Sequence, residues 1–401
     1  MKIIKIPEDK YYEYKIQAMF DCYKWDPQFC DSNTLSKHVL ILTKKENEEI
    51  IKLTKSLDKE TRLAEEYLNQ NIKIAKKLAL PKKILEQIPN MQSYNKNQNI
   101  RLMRYDFHPS TDNKWVVTEV NSDCPGGFAE SSLLPDIARK TIDRLELEYN
   151  SFGEKMVEAI NNKLNKKGTI MMIHCTCFSD DRQVMQYLGD RLKKEGYKII
   201  YGAADHIRFK EKKAYCILDN NQVSIDLIFR FTPLEWLIQM KPRRWDGYFN
   251  TTTKSCNHPI SIYAQSKRFP FVWKDLEKAG ISMKTWKQLL PETIEVKDID
   301  IKEGFIYKPV YGRVGERISI KEACKDDEYE KILQDVKKHP KQYLAQKRFQ
   351  SKPLKSEDGK EYHICLGSYT IEGEHAGYYA RMSLYPRIDS YAEDVPVLIE
   401  K

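Results

Sequence analysis

Residues 100–123 read IRLMRYDFHPSTDNKWVVTEVNSD, and the fold turns on how they pair. Two runs, Ile100 to His108 and Trp115 to Asn121, are strand-like, and the Pro109-Ser-Thr-Asp-Asn113 segment between them carries turn-forming residues, so the stretch predicts a β-hairpin. Successive strand side chains point to opposite faces. Arg104, Asp106 and His108 therefore share one face of the first strand, and Val117, Glu119 and Asn121 share one face of the second. A turn centred near Asp112 and Asn113 sets Asp106 opposite Glu119. Facing like charges destabilise a sheet by roughly 0.2–1 kcal/mol. Two carboxylates and a carboxamide gathered against that penalty point to a hard cation between them. Magnesium suits such oxygen donors, because it commonly takes one or two carboxylates and fills its shell with water and substrate phosphates. Arg104, two residues from Asp106 on the same face, would aim at those phosphates, while His108 reads as a hydrogen-bonded scaffold residue. A solvent-facing hairpin with ordinary surface charges is the alternative reading.

A second element lies two hundred residues further on. Lys308-Pro309 ends an apolar run and leads into Tyr311-Gly312-Arg313-Val314-Gly315. A strand that ends in lysine and enters a Gly-x-x-Gly turn can lay backbone N–H groups over phosphates while the ammonium neutralises them. Alone this pattern is also that of a common hairpin turn. No G-x-x-x-x-G-K-[ST] loop and no G-x-G-x-x-G fingerprint occurs, so neither a P-loop nor a dinucleotide fold is supported.

Around these elements, apolar residues recur at helical spacing from Lys45 to Leu80, ending at Pro81. Between Gly168 and Phe231, the runs GTIMMIH, QVMQYLGDRLKKEG and YKIIYG predict a β-α-β unit in a small open sheet. Beyond Lys267 the chain is strand-rich again. With 401 residues and 41% hydrophobic content, two or three packed domains are expected. The opening MKIIKIPEDK has no signal-peptide core, and no later stretch is long and apolar enough to span a bilayer, so a cytoplasmic protein with no membrane association is expected. Nine scattered cysteines do not form a disulfide framework and fit a reducing compartment. Lys+Arg 67 against Asp+Glu 58 leaves +9, which would attract polyanions, but the charges alternate in segments such as KKENEEIIKLTKSLDKETR. A nucleotide is therefore expected as the polyanion, rather than nucleic acid.

Taken together, these residues resemble the synthetase domain of the glutathionylspermidine synthase family of ATP-grasp amide ligases. RYDF (104–107) and TEVNSDCPGGFAE (118–130) match the family's R-x-D-F and E-x-N-x-D-T-P, and KPVYGRVG (308–315) matches K-P-x-x-G-R-E-G. Ser266-Lys267-Arg268 before FPFVW resembles the family's N-K-A, and Thr232-Pro233-Leu234-Glu235-Trp236 resembles Y-P-W-E-W. The resemblance implies an α+β fold, ATP-grasp with a Rossmann-like pre-ATP-grasp β-α-β subdomain in a circularly permuted arrangement. Residues 1–150 would hold a helical segment and the hairpin, 151–255 the β-α-β subdomain, and 256–401 the ATP-binding lid. It implies ATP and Mg2+ as cofactors, with Asp106, Glu119 and Asn121 as metal ligands. Lys267, Lys308, Gly312, Arg313 and Gly315 would meet the ATP phosphates and Gln346 the adenine, while Arg104 and Arg381 would stabilise the transferring group. The partners implied are a small-molecule or peptide carboxylate and an amine, a polyamine among the candidates, and either a monomer or a homodimer fits.

Several positions depart from the family pattern: Cys124 stands for Thr in D-T-P, Val314 for Glu in G-R-E-G, and Arg381-Met382-Ser383 for R-E-D. These motivate an alternative, a catalytically reduced ATP-grasp protein that binds nucleotide as a regulatory module. Cys124, Asp180 and Asp181 are the substrate-side candidates, although the two aspartates read equally well as the N-cap of the following helix. His174-Cys175-Thr176-Cys177 lacks the four ligands of a structural zinc site and reads as buried thiols at a strand end. Trp236 and Trp273 are expected in the core.

Overall fold

The protein is described by a computed structural model covering residues 1–218, 221–296, 303–325 and 327–401. Strands Leu102–Pro109 and Trp115–Asn121 pair as an antiparallel hairpin with Asp106 opposite Glu119 and Arg104 opposite Asn121, as the alternation requires. Immediately beyond Asp106 the register shifts, so that Phe107 pairs with Val117 and Thr118 is the extra residue. A bulge of this kind resets the in-out alternation. This corrects one expectation: Val117 is fully buried beside Phe107 in the core, and Thr118 takes the site face, 3.1 Å from His108 Nε2.

The hairpin is one side of a larger antiparallel sheet. Strand Glu361–Ile371 pairs with Leu102–Pro109, placing Gly367 opposite Asp106, and strands Glu374–Ser383 and Glu393–Val395 follow outward. The long helix Lys44–Gln70 buries Ile50, Leu57, Ala64 and Leu68 in the same apolar cluster as Phe107 and Leu366. That stripe is what a helix covering one sheet face needs. Its start is fixed by a capping box in which the Thr43 hydroxyl accepts from the Glu46 N–H at 3.3 Å and Glu46 accepts from the Thr43 N–H at 2.9 Å. Thr43→Ala is expected to lower stability by about 1 kcal/mol, read as a shift in the urea midpoint at unchanged slope.

The β-α-β unit forms as predicted. Strands Thr169–His174 and Lys198–Gly202 are parallel and flank helix Ser179–Lys194, and Leu227–Phe231 and Lys254–Cys256 extend the sheet to four parallel strands. A third sheet carries Phe305–Pro309, Tyr343–Lys347 and Thr293–Glu295, backed by helix Glu328–Lys338 through Ile332, Leu333 and Val336. A fourth joins the two ends of the chain, with Lys2–Lys5 antiparallel and Val397–Ile399 parallel to His38–Leu42. The architecture is α+β. Among the described residues no helix is long and apolar enough to cross a membrane.

Two further expectations are corrected. Trp273 is core, but Trp236 is 49% exposed, because Leu234 and Leu237 of the same short helix fill the interior. Cys175 and Cys177 are not buried: the chain turns outward after His174, leaving Cys177 exposed and the two sulfurs 3.4 Å apart.

Candidate functional site

A cleft of about 470 Å³ opens where these sheets meet. Every catalytic, metal, nucleotide and substrate candidate named from the sequence borders it except Gln346, which lines an adjoining slot with Trp273, Leu290 and Leu344 that shares Lys267 and Lys308 with the cleft.

The hairpin forms the floor. Arg104 grips Asp106 through two bonds, of 2.8 and 3.0 Å, and donates a third to the Gly126 carbonyl at 3.0 Å. Its guanidinium lies 5.0 Å from the centre of the Tyr379 ring, a cation–π contact that holds the fork flat. Asn121 Nδ2 donates at 2.9 Å to Asp106 Oδ2, the oxygen that also accepts from Arg104 Nη2. Burial pushes the Asp106 carboxyl up, Arg104 pulls it down, and Glu119 adds to the upward push. The pair fits only because position 367 is glycine: a Cβ there would stand 2.7 Å from Arg104 Cδ and 3.0 Å from Asp106 Oδ1.

Lys267 and Lys308 form the wall above Glu119. Lys267 Nζ is 2.7 Å from Glu119 Oε2 and donates to the Gly312 carbonyl at 2.6 Å, so one ammonium ties the hairpin to the glycine turn. Although burial works to raise it, Glu119 is held down at about 2 by Lys267, Lys308 and Arg104. Lys308 differs from its neighbour. It is 5% exposed, makes no ion pair among the described residues, and burial lowers it to about 8. A buried ammonium whose nearby carboxylate, Glu119, is already ion-paired with Lys267 suits an anion that arrives from outside. The turn itself depends on Gly315, at φ +67, where a Cβ would meet the Ile388 carbonyl oxygen at 2.3 Å. Gln346 is buried in its strand and donates to the Thr293 hydroxyl at 3.0 Å.

On the side facing the β-α-β unit, Asp180 and Asp181 sit in the first turn of helix Ser179–Lys194, whose N-cap is Phe178, so neither is the cap. Burial raises Asp181 to about 6, with Asp180 adding to the rise. Cys124 lies against Arg230, with its Sγ 3.7 Å from the Arg230 carbonyl, and burial keeps the thiol protonated. Arg381 donates to the Asp389 carbonyl and is 3.9 Å from Asp394.

Other residues at the site left no readable sign in the sequence. Lys24 is buried at the cleft wall between Glu130 at 3.1 Å and Asp394 at 2.6 Å, and Tyr379 donates to Asp394 at 2.6 Å. Gln265, in the short helix before Lys267, accepts from the backbone N–H groups of Ser122 and Asp123, both at 3.0 Å. It thereby fixes how the chain leaves the hairpin. Glu235 and Arg313 form an ion pair at 2.6 Å across the cleft edge; both stood in noticed motifs, but nothing in either motif signalled that they meet.

The family described as glutathionylspermidine synthase preATP-grasp matches residues 14–400. The chain belongs to that family. Among solved structures, it is similar to a glutathione synthetase-like effector from Globodera pallida in apo form, at 13% identity and TM-score 0.61, covering 98% of both chains. It is also similar to a putative gamma-glutamylcysteine synthetase from Methylobacillus flagellatus KT, at 14% identity and TM-score 0.46, covering 83% of this chain and 86% of that one. No curated protein matches the sequence. The first likeness supports the ATP-grasp-type fold across the whole chain.

Proposed function

We propose that the protein is an ATP-dependent ligase that joins a carboxylate to an amine through an acyl-phosphate. The observation that carries this reading is the convergence of four cations, Arg104, Lys267, Lys308 and Arg381, on a floor of Asp106, Glu119 and Asn121. In a buried cleft such groups act on developing charge far more strongly than they would in water.

The donor set fits magnesium, since two carboxylates and a carboxamide are hard oxygen ligands. Among the described residues no three His, Cys, Asp or Glu side chains cluster to hold an ion by themselves, so the remaining ligands would be water and phosphate. Bound there, magnesium would neutralise charge between phosphate oxygens. The protein's own part is positioning. Lys267 and Lys308 meet the phosphates, the backbone at Gly312–Gly315 covers them, and Gln346 borders the slot beyond the two lysines, on the side that the family resemblance gives to the adenine. Arg104 and Arg381 hold the substrate carboxylate in line, so that its oxygen attacks the γ-phosphorus as ADP leaves. The neutral amine then attacks the acyl carbon, the C–O bond to phosphate breaks, and the proton released from nitrogen leaves with the phosphate, which yields the amide. The family name and the glutathione synthetase-like neighbour support a thiol-peptide or amino-acid carboxylate as the acid, and a polyamine as one candidate amine.

The test is ADP release by the purified protein with Mg2+-ATP. Release that requires both an acid and an amine, with an amide product seen by mass spectrometry, is the expected result. ADP release indifferent to both substrates, or none across a panel of thiol peptides and polyamines, would overturn it.

A further inference from the structure

Arg313 belongs to the glycine turn that covers the phosphates in the reading above, yet in this structure its guanidinium is engaged by Glu235. Its Nε and Nη2 lie 3.0 and 2.6 Å from one oxygen of Glu235, and its guanidinium carbon is 5.8 Å from the Trp236 ring centre. The Glu235 side chain is only 9% exposed, and its second oxygen, Oε2, is buried with no hydrogen-bond partner among the described residues. The nearest other acid is already committed: Asp123 accepts from Arg230 and from the Leu234 N–H at 2.8 Å, and lies 3.9 Å from Arg313. Arg230 therefore neutralises Asp123, and Arg313 is the counter-ion of Glu235. A carboxylate with one oxygen still unpaired retains lone pairs for a further donor.

From this geometry we infer that Arg313 is a shared cation: it rests on Glu235 while the cleft is free of nucleotide, moves to the phosphates when ATP enters, and leaves Glu235 to take an ammonium group of the amine substrate. One guanidinium cannot neutralise both anions, and a triphosphate carries more charge than a carboxylate. Once Arg313 has left, Glu235, whose carboxyl burial already pushes up, takes a proton unless a cation from outside replaces the guanidinium, and an ammonium group supplies that cation. Asp181, on the neighbouring helix turn, also feels the charge of Arg313 and would join Glu235 in favouring that cation. The amine pocket is thus completed by the nucleotide, which makes ATP the first substrate to bind and the amine a later one. By linkage, the amine in turn strengthens the hold on nucleotide. The identity of the cation as the amine substrate rests on the ligase reading, whereas the hand-over of Arg313 does not.

The experiment is calorimetric titration with two probes, Mg2+-AMPPNP and spermidine, on the wild-type protein and on Glu235→Gln and Arg313→Met. Removing the charge of Glu235 frees Arg313, so Glu235→Gln is expected to bind AMPPNP roughly tenfold more tightly, while spermidine binding in the presence of AMPPNP weakens roughly tenfold or more. Arg313→Met is expected to reverse both signs: weaker AMPPNP, and spermidine taken up without nucleotide. A variant that has merely lost structure would weaken both probes, so opposite signs cannot come from damage. Affinities that move together, or AMPPNP affinity unchanged in Glu235→Gln, would overturn the hand-over. Wild-type protein that binds AMPPNP but no spermidine in its presence would overturn the cation site. If no amide is ever formed, the ligase reading fails, and the AMPPNP arm still decides the hand-over.

Discussion

Lys308→Met is expected to make the protein more stable at pH 7 while reducing nucleotide turnover by about a thousandfold, the scale of losing a buried cation aimed at a transferring group. The two effects have one cause. Lys308 is buried with no ion pair of its own among the described residues, and burial outweighs the pull of Glu119, taking its ammonium from the ordinary lysine value of 10.5 down to about 8. A base whose folded value lies below its unfolded value destabilises the fold wherever the unfolded chain carries the proton more readily. Below pH 8 both states are charged and the whole penalty is present, about 3 kcal/mol for a shift of this size. Between pH 8 and 10.5 the folded state has released its proton and the unfolded state has not, so stability rises with pH and the penalty fades. The difference in unfolding free energy between Lys308→Met and wild type should therefore be largest at pH 7 and shrink through that window. Urea titrations at pH 7, 9 and 10.5 measure it, and a difference that is absent or independent of pH would refute the account. A phosphate anion beside Lys308 restores the charge, so wild-type AMPPNP affinity should weaken above pH 8, and that dependence should vanish in the variant.

This trade of stability for anion binding was partly legible beforehand. Lys308 stands next to a proline and a Gly-x-x-Gly turn, a local pattern, and Asp106 opposite Glu119 follows from a two-residue period and a turn of fixed length. Helix Lys44–Gln70 announces itself by its apolar stripe, which runs on toward Leu80 although the helix breaks after Gln70. What depends on one inserted residue or on distant partners was not legible. The bulge at Thr118 has no composition of its own, so Val117 read as lying on the face of Glu119 and Asn121 until the register showed otherwise. Lys24, Glu130 and Asp394 come from three separated segments, and each alone looks like an ordinary surface charge. Trp236 and the Cys175–Cys177 pair failed for the opposite reason: residue type argued for burial, while the short helix and the outward turn that carry them expose them.

Gly367→Ala is expected to reduce turnover at least a hundredfold, although the residue has no functional group. Its backbone needs no special conformation. The constraint is contact: on the strand paired with the hairpin, the new methyl would lie 2.7 Å from Arg104 Cδ and 2.9 Å from Arg104 Nε. Neither atom is the free end of a side chain. Arg104 is fixed at its far end by Asp106, by the Gly126 carbonyl and by the Tyr379 ring, so it cannot move without losing contacts at all three. Pushing Arg104 aside also frees Asp106, the carboxylate on which the proposed metal site rests. Overpacking of this kind costs about 1–3 kcal/mol, so the variant should still fold. The informative measurement is the pH profile of Mn2+ uptake in the presence of AMPPNP. With Arg104 displaced, the buried Asp106 carboxyl loses its main charge partner and rises further, because burial and Glu119 already push it upward. Uptake in Gly367→Ala should therefore begin at higher pH than in wild type, since a carboxyl must be deprotonated to bind the ion. A variant with wild-type uptake and turnover would show that Arg104 can reach Asp106 by another path, and that the empty space beside Gly367 is not what holds the pair in place.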